Sequence, residues 1–204
     1  MKLRIASLTI LCLALAAVPA FADVNNGPIN GTTDAWTINF GYVVSDTFTP
    51  DKVDVIGFQI GVWEFPGDVL QTVDWSITSA ENGGTVYGSG TVSGSHLTDT
   101  FISTNQFGYN IDLISASMSV NNLSTMGTYW FNLANATVPS GDPVYWDENS
   151  GKASASESAV GTIPSEAFTI TTFGFVNMCP EPSSIMLFGS GMLAITGLLR
   201  RKLF

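Results

Sequence analysis

Two adjacent acidic side chains are the first candidates for chemistry in this sequence. Asp147 and Glu148 follow Trp146, and glycoside hydrolases use two carboxyl groups that flank the bond they cleave. Neighbours on a strand point to opposite faces, so this pair can serve one bond only if the chain bends there. The same segment, continued to Gly151, offers oxygen ligands for calcium without the spacing of a dedicated calcium loop. A solvated turn is the favoured hypothesis, and a calcium site and a hydrolase pair are the alternatives.

Other catalytic constellations are missing from the sequence. Its one histidine, His96, follows Gly94 and Ser95, which favours a solvated loop residue over a metal ligand or a triad member. No nucleophile elbow, phosphate-binding loop or dinucleotide fingerprint occurs. We therefore expect a protein that is not an enzyme, with no catalytic residue, no cofactor and no metal.

Tryptophans are the other residues with recognition chemistry. The five are Trp36, Trp63, Trp75, Trp130 and Trp146. Aromatic faces stack on sugar rings, so a carbohydrate-binding module is an alternative function. Trp36 and Trp75 fall in the apolar register of their expected strands, which favours the core. Trp63 and Trp146 lie beside turn-forming or acidic residues and are the candidate glycan contacts, with burial as the competing hypothesis.

The elements that must position these residues are short strands, because alternation of apolar and polar residues dominates and no long helical period appears. Strands are expected at 36–42, 56–62, 73–77, 86–92, near 101, and at 109–113, 115–120, 129–133 and 168–176. Asn82-Gly83-Gly84 predicts a hairpin turn, and 153–158 predicts an exposed loop. About nine strands with frequent turns predict an all-β sandwich, in a jelly-roll-like variant, over residues 23–178.

Charge and cysteine content narrow the function. Residues 23–166 carry sixteen acidic side chains against two lysines, Lys52 and Lys152, which gives this stretch a net charge of −14. Such a surface repels a phosphate backbone, so a nucleic-acid partner is excluded. Cys12 lies in the apolar N-terminal stretch. If that stretch is removed, Cys179 is the one cysteine left, so no disulfide can form within the chain.

The N-terminus has the three parts of a signal peptide. Lys2 and Arg4 precede an apolar run, and Ala20 and Ala22 form the small-x-small pattern that signal peptidase cleaves. We expect residues 1–22 to be removed after export through the Sec translocon. The apolar run falls short of the ~20 residues of a membrane span.

The C-terminus has the features of a membrane tail. Pro180, Glu181 and Pro182 are followed by an uncharged stretch, 183–199, and then by the basic cluster Arg200, Arg201 and Lys202. As a helix this stretch rises roughly 25 Å, the lower limit for a bilayer crossing. The basic cluster predicts a cytoplasmic end, which places the preceding domain outside.

This tail resembles the PEP-CTERM sorting signal. The resemblance rests on the Pro-Glu-Pro motif, the glycine-punctuated apolar stretch and the terminal basic cluster, over residues 179–204. It implies recognition by an exosortase, an integral-membrane peptidase or transpeptidase of Gram-negative bacteria that make exopolysaccharide. The segments Gly127-Thr128-Tyr129-Trp130, Val144 to Asn149 and Ser165 to Ile170 also resemble stretches of PEP-CTERM surface proteins of unassigned function.

These observations predict a non-enzymatic exported protein of the cell surface or exopolysaccharide matrix. The C-terminal helix would anchor it in the inner membrane transiently, until an exosortase processes the tail. Its expected partners are that exosortase, the Sec translocon, signal peptidase and an exopolysaccharide. A carbohydrate-binding module is the first alternative, and a glycan-acting hydrolase that uses Asp147 and Glu148 is the second.

Overall fold

Alternating apolar and polar side chains build thirteen strands in the part of the chain that the structure describes, residues 20–149, 151 and 154–174 of a computed structural model. The strands are β1 (Ala20–Asn25), β2 (Ala35–Thr37), β3 (Val43–Phe48), β4 (Asp54–Glu64), β5 (Thr72–Ala80), β6 (Gly83–Ser93), β7 (Leu97–Thr104), β8 (Asn110–Val120), β9 (Tyr129–Thr137), β10 (Tyr145–Asp147), β11 (Ala155–Glu157), β12 (Gly161–Ile163) and β13 (Phe168–Gly174). Within those ranges the one helical element is a short 3-10 turn, Gly94–His96.

The strands group into two antiparallel sheets. One contains β1, β2, β4, β7, β8, β10 and β13, and the other runs in the order β12-β11-β3-β9-β5-β6. One buried cluster draws side chains from both sheets, as in a sandwich. At its centre the rings of Phe58, Phe131, Trp146 and Phe168 lie with centroids 5.1–5.7 Å apart. The all-β prediction is confirmed, and the jelly-roll variant stays a prediction.

Several predicted strands are confirmed. The stretches 56–62, 73–77, 86–92 and 129–133 lie within β4, β5, β6 and β9. The turn between β5 and β6 is confirmed as well. Asn82 and Gly84 adopt positive φ angles of 51° and 83°, which asparagine and glycine tolerate best.

Three predictions about local structure are wrong. The strand expected over 36–42 ends at Thr37, and Phe40 turns the chain with φ 55° and 64% of its surface exposed. The two strands expected over 109–120 are one, β8, because its partner β4 is equally long. The loop expected at 153–158 contains β11, whose three residues are buried and pair with β3.

One edge of β4 is shared by two strands placed end to end. Val62 pairs with Trp146 of β10 on one side and with β8 on the other, whereas Ile60 pairs with Phe168 of β13 and again with β8. Both β10 and β13 therefore pair with one edge of β4, and β8 pairs with its other edge. Between them the chain crosses to the other sheet, forms β11 and β12, and returns.

The predicted terminal segments lie mostly outside the described residues. The described residues belong to one unit that ends at Gly174. The backbone of Ala20 and Ala22 pairs with β13, so β1 spans the expected cleavage site, and cleavage would leave Asp23–Asn25 paired. The Pro-Glu-Pro motif, the stretch 183–199 and the basic cluster are not described. Across the described ranges, no helix has the length and hydropathy needed to cross a bilayer.

Candidate functional site

The junction between β10 and β13 brings two glutamates face to face. Glu148 and Glu166 form an antiparallel bridge, and the backbone hydrogen bonds flank this pair rather than join it. In such a non-hydrogen-bonded pair the two side chains approach closely and leave on the same face. Asp46, from β3 of the other sheet, hydrogen bonds to the backbone N–H of Glu166. We call Asp46, Glu148 and Glu166 the acidic junction.

Asp46 is completely buried and well supplied with donors. Its carboxylate accepts hydrogen bonds of 2.6–2.9 Å from Asn26 Nδ2, the N–H of Thr47, the hydroxyls of Ser154 and Ser165, and the N–H of Glu166. Burial raises the pKa of Asp46, and the hydrogen bonds oppose that rise. These donors stabilise the charged form of the side chain.

Glu166 is also completely buried, but neither of its carboxyl oxygens has a hydrogen-bond partner among the described residues. Burial, followed by the charges of Asp46 and Glu148, raises its pKa well above the ordinary value of a glutamate. An isolated buried carboxylate is costly and takes up a proton instead. Glu166 is therefore the group of the acidic junction that binds a proton most readily.

The solvated turn expected at Asp147 and Glu148 is wrong, because both residues are buried. They have separate partners, as expected for neighbours on a strand. Asp147 accepts hydrogen bonds from the indole N–H of Trp63 (2.6 Å) and from the backbone N–H groups of Asn30 (2.8 Å) and Gly31 (3.0 Å). Glu148 instead accepts one from the indole of Trp36 (3.3 Å). Burial is the main cause that raises the pKa of both carboxyl groups.

A second group of buried carboxyl groups lies at the end of β4. Glu64 is completely buried, and both of its carboxyl oxygens lack a hydrogen-bond partner among the described residues. Burial, followed by the charges of Asp99, Asp112 and Asp68, raises the pKa of Glu64 to about 8. Burial and the charge of Asp99 raise the pKa of Asp112 to about 6.

The carboxyl groups of the described residues do not assemble into a metal centre. No set of three or more Asp, Glu, His or Cys side chains in those residues has an arrangement suited to a metal ion. In the segment considered for calcium, N–H donors already occupy the carboxylate of Asp147, and Asn149 Oδ1 accepts from the N–H of Gly151. Ser150, in the same segment, lies outside the described residues.

An aromatic recess of about 370 Å³ opens next to Asp147. Its walls are the rings of Trp63, Phe107, Tyr109 and Tyr145, and its rim is formed by Thr33, Asp34 and Ala35. The ring of Phe107 stacks on that of Trp63 with centroids 6.0 Å apart and 25° between planes. Tyr109 meets Tyr145 edge to face at 5.7 Å. We call this set the aromatic recess.

Polar groups border the aromatic recess. Burial, followed by the neighbouring Tyr109, raises the pKa of Tyr145 to about 12, so its hydroxyl stays protonated. Asp34 is exposed at the rim, and its carboxylate accepts a hydrogen bond from the N–H of Ala35 at 2.9 Å. The recess therefore combines aromatic surface with two phenol hydroxyls and one carboxylate.

Asp147 holds two sides of the aromatic recess together. Its oxygens fix the indole of Trp63 in the wall and the chain at Asn30 and Gly31, which leads to the rim. Gly31 has φ +63°, and a Cβ there would lie 2.7 Å from a side-chain carbon of Ile111. A side chain at position 31 would therefore push this segment away from the sheet.

The two tryptophans predicted to contact glycans have different environments. Trp146 has no exposed surface, lies in the aromatic centre of the core and donates its indole N–H to the carbonyl of Ala167 at 2.9 Å. The prediction that Trp146 contacts a glycan is therefore wrong, because strand alternation turns its ring inward. Trp63 is 5% exposed and lines the aromatic recess.

Sequence reasoning missed most of the aromatic recess. Phe107 and Tyr109 lie in the turn between β7 and β8, and Tyr145 opens β10. The two aromatic residues of the Asn-x-Phe-Gly-Tyr turn could have indicated this site. Nothing in the sequence indicates that Asp34 lies at the same recess. His96 lies exposed in the 3-10 turn, away from both sites, beside a shallow recess of about 260 Å³ that includes Gln59 and Ser115.

Comparison with known proteins identifies the end of the chain. Residues 179–202 match the PEP-CTERM protein-sorting motif. This match confirms the resemblance seen in the Pro-Glu-Pro motif, the apolar stretch and the basic cluster. No curated protein and no solved structure matches the chain.

Proposed function

We propose that this chain, which carries a PEP-CTERM protein-sorting motif, is a non-catalytic protein of the cell surface or exopolysaccharide matrix. The motif implies an exported protein with a membrane-anchoring C-terminal tail that an exosortase processes. In this proposal residues 1–22 are a signal peptide, 23–178 form the exported domain, and 179–204 are the sorting tail. The sorting motif is the single observation that carries the proposal.

The composition of the domain supports an extracellular destination. Its net charge of −14 favours solubility and disfavours adhesion to anionic polymers. The basic residues Arg200, Arg201 and Lys202 agree with a cytoplasmic end of the tail, and the N-terminal Lys2 and Arg4 agree with the same orientation.

The environment of the acidic pair supports a non-catalytic role. Three N–H groups engage Asp147, and Glu148 interacts with Trp36 instead. A general acid and its partner carboxylate must flank the same glycosidic bond. A hydrolase remains the second alternative, and an activity screen of Glu148→Gln against the wild type tests it, since equal turnover of any substrate found would remove Glu148 from the mechanism.

The processing proposal is tested on the mature C-terminus. We expect mass spectrometry of the protein from its native cell to find a chain that ends before Phe204, and to find the full tail when the exosortase gene is deleted. Replacing Pro180-Glu181-Pro182 by three alanines should have the same effect as the deletion, whereas the neighbouring change Ser183→Ala should be processed normally. A mature chain that keeps Phe204 in the wild-type cell would overturn the proposal.

A carbohydrate-binding module is the alternative that one specific observation favours. The aromatic recess places four aromatic rings, two of them with a phenol hydroxyl, beside a carboxylate, a combination typical of small-molecule sites. Titration against polysaccharides, including that of the producing organism, separates this alternative from a purely structural matrix protein.

A further inference from the structure

We infer that the aromatic recess binds one uncharged sugar residue of a polysaccharide, a neutral hexose or an N-acetylated hexosamine. The inference deepens the surface or matrix function proposed above, on which it rests, by naming the chemistry of its partner. It concerns Trp63, Phe107, Tyr109 and Tyr145 with Asp34 at the rim.

The ring of Phe107 provides the contact surface. One face of it packs on Trp63, yet 59% of the surface of Phe107 is exposed. The C–H face of a pyranose ring would cover that exposed aromatic area and remove it from water. The recess volume of about 370 Å³ lies at the lower end of the range for small-molecule sites. A single sugar ring suits it better than a protein partner, whose stable interfaces bury about 800 Å² on each side.

Hydrogen-bonding groups stand beside this surface. The carboxylate of Asp34 accepts hydrogen bonds, and the hydroxyls of Tyr109 and Tyr145 both donate and accept. Sugar hydroxyls need both kinds of partner, because a hydroxyl that enters a recess without one loses its hydrogen bonds to water. A purely apolar ligand would make no use of the accepting and donating atoms of these groups.

The negative charge around the aromatic recess favours an uncharged sugar. Asp34 lies at the rim, Asp147 lies behind Trp63, and the stretch around them has a net charge of −14. A uronic acid or a sulfated sugar would place its negative charge next to Asp34. Neutral and N-acetylated sugars avoid this repulsion.

The recess is held in place before any ligand arrives. Asn105 Oδ1 accepts hydrogen bonds of 3.0 Å from the N–H groups of Phe107 and Tyr109, which fixes the turn that carries both rings. Asp147 fixes Trp63 and the rim segment in the same way. Rigid walls reduce the loss of side-chain freedom on binding.

The test is calorimetric titration of the full-length chain in mild detergent. The probes are hexamers of glucose, of N-acetylglucosamine and of galacturonic acid. We expect at least one of the two uncharged hexamers to bind, and the galacturonic acid hexamer to bind at least about tenfold more weakly. Phe107→Ala should weaken binding about tenfold. Phe101→Ala, in the same hairpin and also 59% exposed, should leave it unchanged.

Three outcomes would overturn the inference. The first is that neither uncharged hexamer binds, and the second is that the galacturonic acid hexamer binds more tightly than they do. The third is that Phe107→Ala binds like the wild type, which would place the site elsewhere. The intact mass of the protein recovered from native cells reports processing separately. Normal processing without sugar binding would contradict only the inference about the aromatic recess. An unprocessed chain that binds sugar would contradict only the proposed matrix function.

Discussion

Asp46 and Glu166 occupy the same junction, have no exposed surface and yet have opposite surroundings. Asp46 accepts five hydrogen bonds, one of them from the backbone of Glu166. The carboxyl group of Glu166 accepts none from the described residues. The domain provides little compensation by cations, since Lys52 is the one lysine among the described residues and arginine is absent from them.

The difference teaches that hydrogen bonds, more than depth, decide the charge of a buried carboxyl group here. Burial raises the pKa of both Asp46 and Glu166. For Asp46 the donors compensate the lost water, so its charge is retained as a structural link between the sheets. For Glu166 the neighbouring charge of Asp46 adds to burial, and the proton is the available compensation. In this comparison Glu64, at the far end of β4, resembles Glu166 rather than Asp46.

Removing the satisfied carboxylate should have the largest effect. Asp46→Ala leaves five donors without their acceptor, and we expect it to lower the free energy of unfolding by about 4 kcal/mol. Urea unfolding of the full chain, followed by tryptophan fluorescence, measures this loss. Asp51→Ala, an exposed aspartate in the loop before β4, is the control and should be nearly neutral. A loss below about 1 kcal/mol for Asp46→Ala would contradict the role given to its hydrogen bonds.

Glu64 should make the fold less stable as pH rises. Its folded pKa, about 8, lies above the ordinary 4.5, so the folded protein holds a proton that the unfolded chain releases. This contribution is complete below pH 4.5 and is lost as the pH rises through 8. We expect the wild type to lose about 3 kcal/mol more stability than Glu64→Gln between pH 5 and pH 8. Parallel pH profiles for the two proteins would show that Glu64 titrates normally.

Glu166→Gln should have the smallest effect, a stabilisation of about 1 kcal/mol that grows as the pH rises. A neutral amide resembles the protonated acid, so the variant should match the wild type near pH 4.5. At higher pH the variant should be the more stable of the two, because the folded wild type must hold a proton at Glu166 that the unfolded chain releases. Thermal unfolding across this range measures it, with the exposed Glu81→Gln as control. Destabilisation by the variant at every pH would mean that Glu166 is ionised and paired.

How well the sequence predicted the fold depended on how local each signal was. β5 was predictable because Val73, Trp75 and Ile77 alternate with polar residues and bury one face. β3 was missed because it buries Ser45 and Asp46, whose partners come from distant parts of the chain. The shared edge of β4 could not be inferred, since nothing within β10 or β13 records that the two strands lie end to end.

The candidate site was less predictable than the fold for the same reason. The alternation argument correctly separated Asp147 from Glu148, yet it did not place the indole of Trp63 on Asp147. Glu166 follows Ser165 in a stretch with no feature of a buried acid. Its environment exists only because the chain crosses between the sheets and returns beside Glu148.

The position of β13 determines how the domain carries mechanical load. This strand ends at Gly174, and the matched sorting motif begins further along the chain, at residue 179. Thr171 pairs with Asp23 of β1 on one side and with Gly57 of β4 on the other, so ladders flank the strand along both edges. A force directed along β13 would therefore load two rows of hydrogen bonds at once instead of peeling an edge strand open one bond at a time.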